Sequence, residues 1–331
     1  MRIVIISLLF LFGWNTAVQS STTIKFATLA PEGSTWLKVM QEFNEAVQKG
    51  TNGEVKFKIY SSGKQGDEKD VLRKIRINQL QSAGFTGVGL GEILPEVRIL
   101  DAPFLFKNHD EVDYAANKFF DKFAKKFEEN GFILLGWAEV GFVYIYTNTP
   151  VSTIDDFKGV KMWMWEGDPL AGATFKAFNI NPTPLSISDV YTSLQTGLVD
   201  GVYISPMACV GLQWFTKVKY VVDIPLANSS GAVLVSKRAF DKLTAEQQGA
   251  VKEQGRIFFS KLTRLSRRDN VLSTEQLTKR GIKKITFTDQ KTLDRIEEIG
   301  VQARRDLIGK LYSKELLEEM ESAINEFRSK K

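Results

Sequence analysis

The side chains that most often carry catalysis or bind metals are scarce in this chain of 331 residues. Cys209 and His109 are its single cysteine and single histidine. One cysteine excludes an intrachain disulfide framework and a multi-cysteine zinc or iron–sulfur site, and one histidine argues against a histidine-based triad. Glu166 and Asp168 are a close acidic pair, but Asp168 precedes Pro169, which is typical of an aspartate cap before the first turn of a helix. We expect no catalytic residues, no bound metal and no cofactor.

Residues 84–91, with the sequence GFTGVGLG, form a glycine-rich segment. A dinucleotide-binding fingerprint would need a strand before it, a helix after it and an acidic residue about 20 positions later. Here an Ile-Leu-Pro segment follows, so we interpret the segment as a tight loop where the backbone approaches a ligand or a neighbouring strand. We interpret Cys209 as a buried small apolar residue and His109 as a surface residue at a helix start.

Two tryptophans, Trp163 and Trp165, lie two positions apart in a segment whose pattern predicts a strand. Successive side chains of a strand point to opposite faces, so both indoles share one face and Met162 and Met164 the other. Two interpretations are open: ordinary core packing, or an aromatic pocket wall that offers a large apolar area and N–H donors.

The ends and the charge of the chain indicate an exported protein. Arg2 is followed by an apolar run over residues 3–14 and then by small residues, which is typical of a secretory signal peptide cleaved near Ser20. No later segment is apolar and long enough to span a bilayer. The 44 basic and 39 acidic residues give a formal charge of +5, spread along the chain. We interpret Arg264, Arg267 and Arg268 as a solvated helix face and expect no nucleic-acid binding.

The hydrophobic pattern predicts an α/β protein with about two domains. The chain opens β-α-β-α, with strands at 23–29 and 54–60 and helices at 35–49 and 67–79, which favours a parallel sheet covered by helices. Further strands are predicted at 132–146, 160–165, 201–204 and 231–236. Further helices are predicted at 169–177, 188–196, 244–279, 289–308 and 313–328.

Several ordered motifs resemble one known family. They are APEGS at 30–34, TNGEV at 51–55, ILDAPFLF at 99–106, DDFKGVK at 155–161 and DVYTSLQTGLVDG at 189–201. Together they resemble the DctP-like solute-binding subunits of tripartite ATP-independent periplasmic (TRAP) transporters. The resemblance covers nearly the whole chain after the signal peptide, and the last motif is its most specific part.

The resemblance implies a type II-like, two-domain periplasmic solute-binding protein with a cleft between the domains and a long bracing helix. Domain I is expected to comprise 21–143 and 229–270, and domain II 144–228 and 271–331, with hinges near 143–148, 227–230 and 270–273. The resemblance also implies a receptor without catalysis. Such a receptor captures a small solute in the periplasm and delivers it to membrane permease subunits, and some relatives use a helical-repeat partner protein.

The chain departs from the family where the solute is held. Members that bind organic acids carry an arginine in a Lys-aliphatic-Arg pattern, where bidentate pairing suits a carboxylate. Here the pattern reads Lys161-Met162-Trp163. Ser205 stands where an asparagine is common, and Val143 is the nearest match to a second basic residue. A carboxylate buried without a cation is costly, so we expect a largely apolar or aromatic solute. The predicted lining residues are Leu29, Trp36, Phe85, Val88, Phe142, Val143, Tyr144, Trp163, Trp165, Tyr203 and Trp214, with polar contacts from Ser205 and Glu139.

Two other hypotheses are open. The same receptor could bind an organic acid through a replacement cation, for which Arg73, Arg98 and Lys64 are candidates, or through a metal held by Glu166 and Asp168. The chain could instead be a sensory or protein-interaction module without a transport role, which an exposed apolar patch on the long helix would favour. An enzyme is disfavoured because no nucleophile–base pair is evident.

Overall fold

The computed structural model describes residues 21–330, so the predicted signal peptide and its cleavage site near Ser20 lie outside the described residues. Over this range, none of the helices combines the length and apolar character needed to cross a membrane. The α/β fold class predicted from the sequence is confirmed.

The strands alternate with helices for most of the chain. The strands are β1 (Thr22–Ala27), β2 (Val55–Tyr60), β3 (Ser82–Thr86), β4 (Phe132–Trp137), β5 (Gly141–Thr147), β6 (Trp163–Trp165), β7 (Thr183–Leu185), β8 (Gly201–Ile204), β9 (Tyr220–Val222), β10 (Ala227–Ser229), β11 (Gly231–Ser236) and β12 (Lys283–Ile285). The segment predicted as one strand at 132–146 is therefore two strands, β4 and β5, that belong to different sheets.

The helices cover both sheets. They are α1 (Thr35–Gly50), α2 (Glu68–Arg76), α3 (Gly87–Gly91), α4 (His109–Lys118), α5 (Phe120–Glu129), α6 (Pro169–Ala177), α7 (Val190–Thr196), α8 (Pro206–Gly211), α9 (Lys237–Phe240), α10 (Ala245–Lys279), α11 (Gln290–Asp306) and α12 (Lys314–Ser329). Short 3₁₀ segments include Pro95–Asp101 and Ile154–Gly159. The expected loop at 84–91 is instead the end of β3 followed by the short helix α3.

Domain I is built on a five-stranded sheet in the order β2-β1-β3-β11-β4. Strand β1 runs parallel to β2 and β3, as the β-α-β-α opening predicts, whereas β11 is antiparallel to both of its neighbours. The helix α1 begins at Ser34, whose side chain accepts a hydrogen bond from the Leu37 N–H, and its apolar face buries Met40 and Phe43. Leu29 and Val88, which follow β1 and β3, belong to the same apolar cluster as Trp163 and Trp165.

Domain II is built on a second sheet in the order β10-β5-β9-β12, with β8 also paired to β5, and on the small parallel pair β6-β7. The helix α10 braces both domains, because it packs against α1 and β4 in domain I and against α8 in domain II. Thr244 and Gln247 form a capping box at its first turn, which agrees with the predicted start at 244.

The C-terminal helix α12 packs against domain I, which differs from the expected assignment of residues 271–331 to domain II. Met320 and Ile324 join the apolar core beneath the first sheet, and Arg328 pairs with Glu111 of α4 at 2.8 Å. The preceding helix α11 packs on α6 as expected, with Ile299 in the core of domain II. We propose that the chain returns to domain I after α11, because the apolar face of α12 is buried against that domain.

Candidate solute-binding cleft

Asp67 of domain I bonds directly to domain II across the cleft. Its Oδ2 accepts hydrogen bonds from Trp165 Nε1 at 3.1 Å and from Ser186 Oγ at 2.7 Å. Its Oδ1 accepts the Glu68 N–H at 2.6 Å and so caps α2. One carboxylate therefore holds a helix start in domain I and two side chains of domain II.

A second link across the cleft is a buried charge cluster. The Arg98 guanidinium pairs with Asp168 at 3.1 Å and with Asp101 at 2.9 Å. Burial disfavours the charged guanidinium, but Asp168 and Asp101 outweigh this effect and raise the pKa of Arg98. Burial also raises the pKa of Asp101, against the opposing effect of Arg98. A side chain at Gly87 would overlap the Asp101 carboxylate, which explains the glycine there.

Glu68 is a buried carboxylate at the start of α2 that the sequence analysis missed. It accepts hydrogen bonds from the Thr86 N–H at 2.7 Å, the Thr86 hydroxyl at 2.9 Å and the Gly89 N–H at 2.7 Å. Burial raises the pKa of Glu68 to about 7, against these three hydrogen bonds. The sequence signal for Glu68 was its position in the first turn of α2, directly after the cap residue Asp67. Its burial could not be predicted, because it depends on contacts with Thr86 and Gly89, which are distant in the sequence.

Trp163 lies in the aromatic cluster of domain II with 1% of its surface exposed. Its indole N–H donates to the Leu185 carbonyl at 3.0 Å. Its ring stacks on Tyr203 at a centroid distance of 5.0 Å and meets Trp214 edge-on at 5.2 Å. Trp165 lies 6.1 Å away, so the two indoles share one side as predicted. This packing favours the core interpretation of Trp163.

The predicted lining residues divide into two groups. One apolar cluster gathers Leu29, Val88, Tyr144, Trp163, Trp165, Tyr203 and Trp214, with Leu29 and Val88 supplied by domain I. The others lie in the cores of the domains: Trp36 stacks on Phe26, Phe85 and Phe142 belong to the core beneath the first sheet, and Val143 belongs to the core of domain II. Their expected contact with solute finds no support in this packing.

The two predicted polar contacts are used elsewhere. Ser205 is fully buried, and its Oγ accepts the Ala208 N–H at 3.3 Å as the cap of α8. Glu139 lies between β4 and β5, with Arg267 at 2.5 Å and His109 at 3.4 Å. Burial would raise the pKa of Glu139, but hydrogen bonds from His109 and Arg267 outweigh it and lower that pKa. Neither side chain offers a free group to the cleft.

The sequence-predicted replacement cations are all paired with carboxylates. Arg73 is exposed and pairs with Asp70, and Lys64 is exposed and pairs with Glu32. Arg98 is buried and already pairs with Asp101 and Asp168. A metal bridge at Asp168 is disfavoured because its oxygens already accept from Arg98 and from the Leu170 N–H. Within residues 21–330, no group of three or more His, Cys, Asp or Glu side chains is arranged to hold a metal.

Lys69 is a cation at the cleft that the sequence analysis missed. Its Nζ lies against Gly167 of domain II, so closely that a side chain at Gly167 would overlap it. Gly167 has φ +73°, a left-handed conformation that favours glycine. Lys69 pairs with Glu92 at 3.3 Å and keeps 47% of its side chain exposed. The sequence gives no local signal for this contact, because the two residues are joined only by the closure of the domains.

Comparison with known proteins identifies the family. The model for the bacterial extracellular solute-binding proteins of family 7, DctP, matches residues 26–304. This chain belongs to that family. Family members are receptors and not enzymes, which confirms the predicted absence of catalysis. TRAP solute-binding proteins are periplasmic, bind small solutes and work with membrane permease subunits.

Three similar proteins illustrate the relationship. A solute-binding protein of Chromohalobacter salexigens is 32% identical over 166 residues, which is 50% of this chain and 49% of that protein. The 2,3-diketo-L-gulonate-binding periplasmic protein YiaO of Escherichia coli is 25% identical over 92% of this chain and 87% of its own length. A TRAP periplasmic protein of Pseudomonas putida F1 with bound D-glucuronate superposes with TM-score 0.81 at 25% identity, over 91% of this chain and 97% of that one.

These relatives correct one prediction. Their named ligands, 2,3-diketo-L-gulonate and D-glucuronate, are sugar acids, so the expectation of a hydrophobic ligand is wrong. Their descriptions also give no support to a helical-repeat partner. The apolar side chains exposed on α10, Ile257, Val271 and Leu272, are few, and single exposed apolar residues are common on protein surfaces.

Proposed function

We propose that this chain is the receptor of a TRAP importer that captures a small hydroxylated organic acid between its domains and delivers it to the membrane permease subunits. The family membership and the sugar-acid ligands of the relatives support this class of solute. The contact between the two domains adds a cation, Lys69, which lies against Gly167 of domain II.

Lys69 is the observation that carries the choice of an acid. By the motif resemblance, Trp163 stands where acid-binding members carry an arginine, and its indole N–H is already bonded to Leu185. The negative charge of a solute must therefore be met elsewhere. Lys69 reaches from domain I to Gly167 of domain II, and 47% of its side chain is exposed. We assign it the role of carboxylate partner, in exchange for its weak surface pair with Glu92.

Closure would follow from contacts that exist only when the domains meet. A solute shifts the open–closed equilibrium only by the extra free energy of its contacts in the closed form. The Asp67 bonds to Trp165 and Ser186 already favour that form. An acid that joins Lys69 to domain II adds to them. The cluster side chains Leu29, Val88 and Trp165, which come from both domains, are the proposed apolar contacts.

The test is calorimetric titration of the purified protein with D-glucuronate and with D-glucose, its neutral counterpart. We expect saturable binding of the acid and at least tenfold weaker binding of the sugar. Lys69→Met should weaken acid binding about tenfold or more, in the range of a lost charged hydrogen bond. Lys64→Met is the matched control, because Lys64 is also a surface lysine of domain I with a carboxylate partner, and it should bind normally.

The outcomes separate two parts of the proposal. Binding of acids that is unchanged in Lys69→Met would remove Lys69 as the carboxylate partner and leave the receptor assignment standing. Failure of D-glucuronate, 2,3-diketo-L-gulonate and other hydroxylated acids to bind, together with binding of a neutral or cationic solute, would overturn the acid class.

A further inference from the structure

A large groove of about 1170 Å³ lies in domain I, outside the cleft. Its floor is the edge strand β4, and its walls are the helices α4 and α5 on one side and α10 on the other. One end of the groove reaches the hinge, where Asn228, Ser230, Glu139 and Arg267 line it.

Asn228 is an unpartnered polar side chain at this end of the groove. It is 2% exposed, and among the described residues its Oδ1 has no hydrogen-bond partner. Buried side-chain acceptors almost always have a partner, and an orphaned one costs about 1–3 kcal/mol. Ser230 is also buried and lines the groove two residues later, on the segment that joins β10 to β11. Because both residues line the groove, a donor group of a molecule bound there would give these oxygens the partner that they lack.

The charges around Asn228 define the chemistry of that donor. The Arg267 guanidinium is shared between Glu139 at 2.5 Å and Asp113 at 2.7 Å. The Asp101 carboxylate, beside Ser230, is paired with Arg98. These two carboxylate–guanidinium pairs satisfy each other, and within the described part of the chain the polar groups left without a partner at this end are the Asn228 amide oxygen and the Ser230 hydroxyl. Both oxygens accept hydrogen bonds, so the site favours a molecule rich in O–H or N–H donors.

We propose that the hinge end of this groove is a second binding site, separate from the cleft, for a small molecule with clustered hydrogen-bond donors, either a polyol or an alkylammonium ion. The site is linked to closure by a continuous chain of contacts. The Ser230 N–H donates to Asp101 at 2.7 Å, Asp101 pairs with Arg98, and Arg98 pairs with Asp168 of domain II. A molecule bound beside Ser230 would therefore act on the interface that closes over the solute.

Saturation-transfer NMR with glycerol and with ethylammonium chloride tests this site on the whole purified protein. The two probes distinguish a neutral from a cationic donor. We expect saturable binding of one of them, weakened about threefold to tenfold in Asn228→Ala, which is the range for one lost hydrogen bond. Asn117→Ala is the matched control, because Asn117 lines the same groove on its exposed rim, and it should bind as the wild type does.

Stability is measured beside binding, because Asn228 is buried and its truncation removes packing contacts. Ser230→Ala removes only a hydroxyl that has no partner among residues 21–330, so it should keep the free energy of unfolding near that of the wild type and provides a second variant with the same expected loss of probe binding. Hydrogen exchange of the β5 and β10 amides should slow when the probe is bound. No saturable binding of either probe, or equal binding by Asn228→Ala and Asn117→Ala, would overturn the proposal. Because neither probe is an acid, this result is independent of whether the cleft binds D-glucuronate.

Discussion

Asp67 and Trp165 connect the two domains through a hydrogen bond of 3.1 Å from the indole N–H to the carboxylate. The same oxygen of Asp67 accepts the Ser186 hydroxyl, and its other oxygen caps α2. The closed arrangement is thus stabilised by groups of the protein itself. The strength of this contact sets how much of the closing free energy a solute must supply.

Replacing Trp165 with phenylalanine tests the contribution of that bond to closure. Trp165→Phe keeps an aromatic ring but removes the N–H, at a cost of about 1.5–3 kcal/mol for a hydrogen bond to a charged group. We expect the ligand-free protein to become more open, measured as a larger radius of gyration in small-angle X-ray scattering. Trp137→Phe is the control, because the Trp137 N–H donates to the Ala116 carbonyl within domain I. Equal scattering of the two variants would argue against the link.

The buried pair of Arg98 and Asp168 should be one of the most sensitive points of the fold. Asp168→Ala removes one partner and leaves a guanidinium in a site with little solvent, where such losses cost about 3–5 kcal/mol. Asp70→Ala removes the partner of Arg73 in an exposed pair and should cost less than about 1 kcal/mol. Urea unfolding monitored by fluorescence gives both values. Similar costs for the two variants would show that Arg98 is solvated.

Replacing Trp163 with alanine distinguishes a structural role of this residue from a ligand-binding role. Its burial and its bond to Leu185 predict that Trp163→Ala lowers the free energy of unfolding by about 3–5 kcal/mol, as for other large-to-small changes in a core. Chemical denaturation measures this cost, and titration with the bound acid measures affinity in the same sample. A variant of unchanged stability with weakened affinity would instead make Trp163 a solute contact.

Local signals in the sequence predicted the elements well, while long-range contacts decided the site. Asp168 before Pro169 predicted the cap of α6 correctly, because an N-cap depends on neighbouring residues alone. The β-strand alternation placed Trp163 and Trp165 on one side. The sequence could not predict that Lys69 meets Gly167 or that Arg98 meets Asp168, since these pairs form only when the two domains close. The apolar stripe of α12 gives no indication in the sequence of its packing partner, and in the structure Met320 and Ile324 join the core beneath the first sheet.

The raised pKa of Glu68 predicts an unusual dependence of stability on pH. In the folded chain the pKa of Glu68 is about 7, against 4.5 for an ordinary glutamate, so between these values the folded state holds a proton that the unfolded state has lost. The contribution of Glu68 to stability is therefore fully present below pH 4.5 and declines as the pH rises to about 7. We expect the free energy of unfolding measured by urea titration to fall between pH 5 and pH 8, and Glu68→Gln to remove this slope. Glu111 is the opposite case, because a hydrogen bond from Arg328 lowers its pKa against the effect of burial. Glu111→Gln should therefore change the dependence of the free energy of unfolding on pH only below about pH 4.5. A slope that persists in Glu68→Gln would assign it to another group.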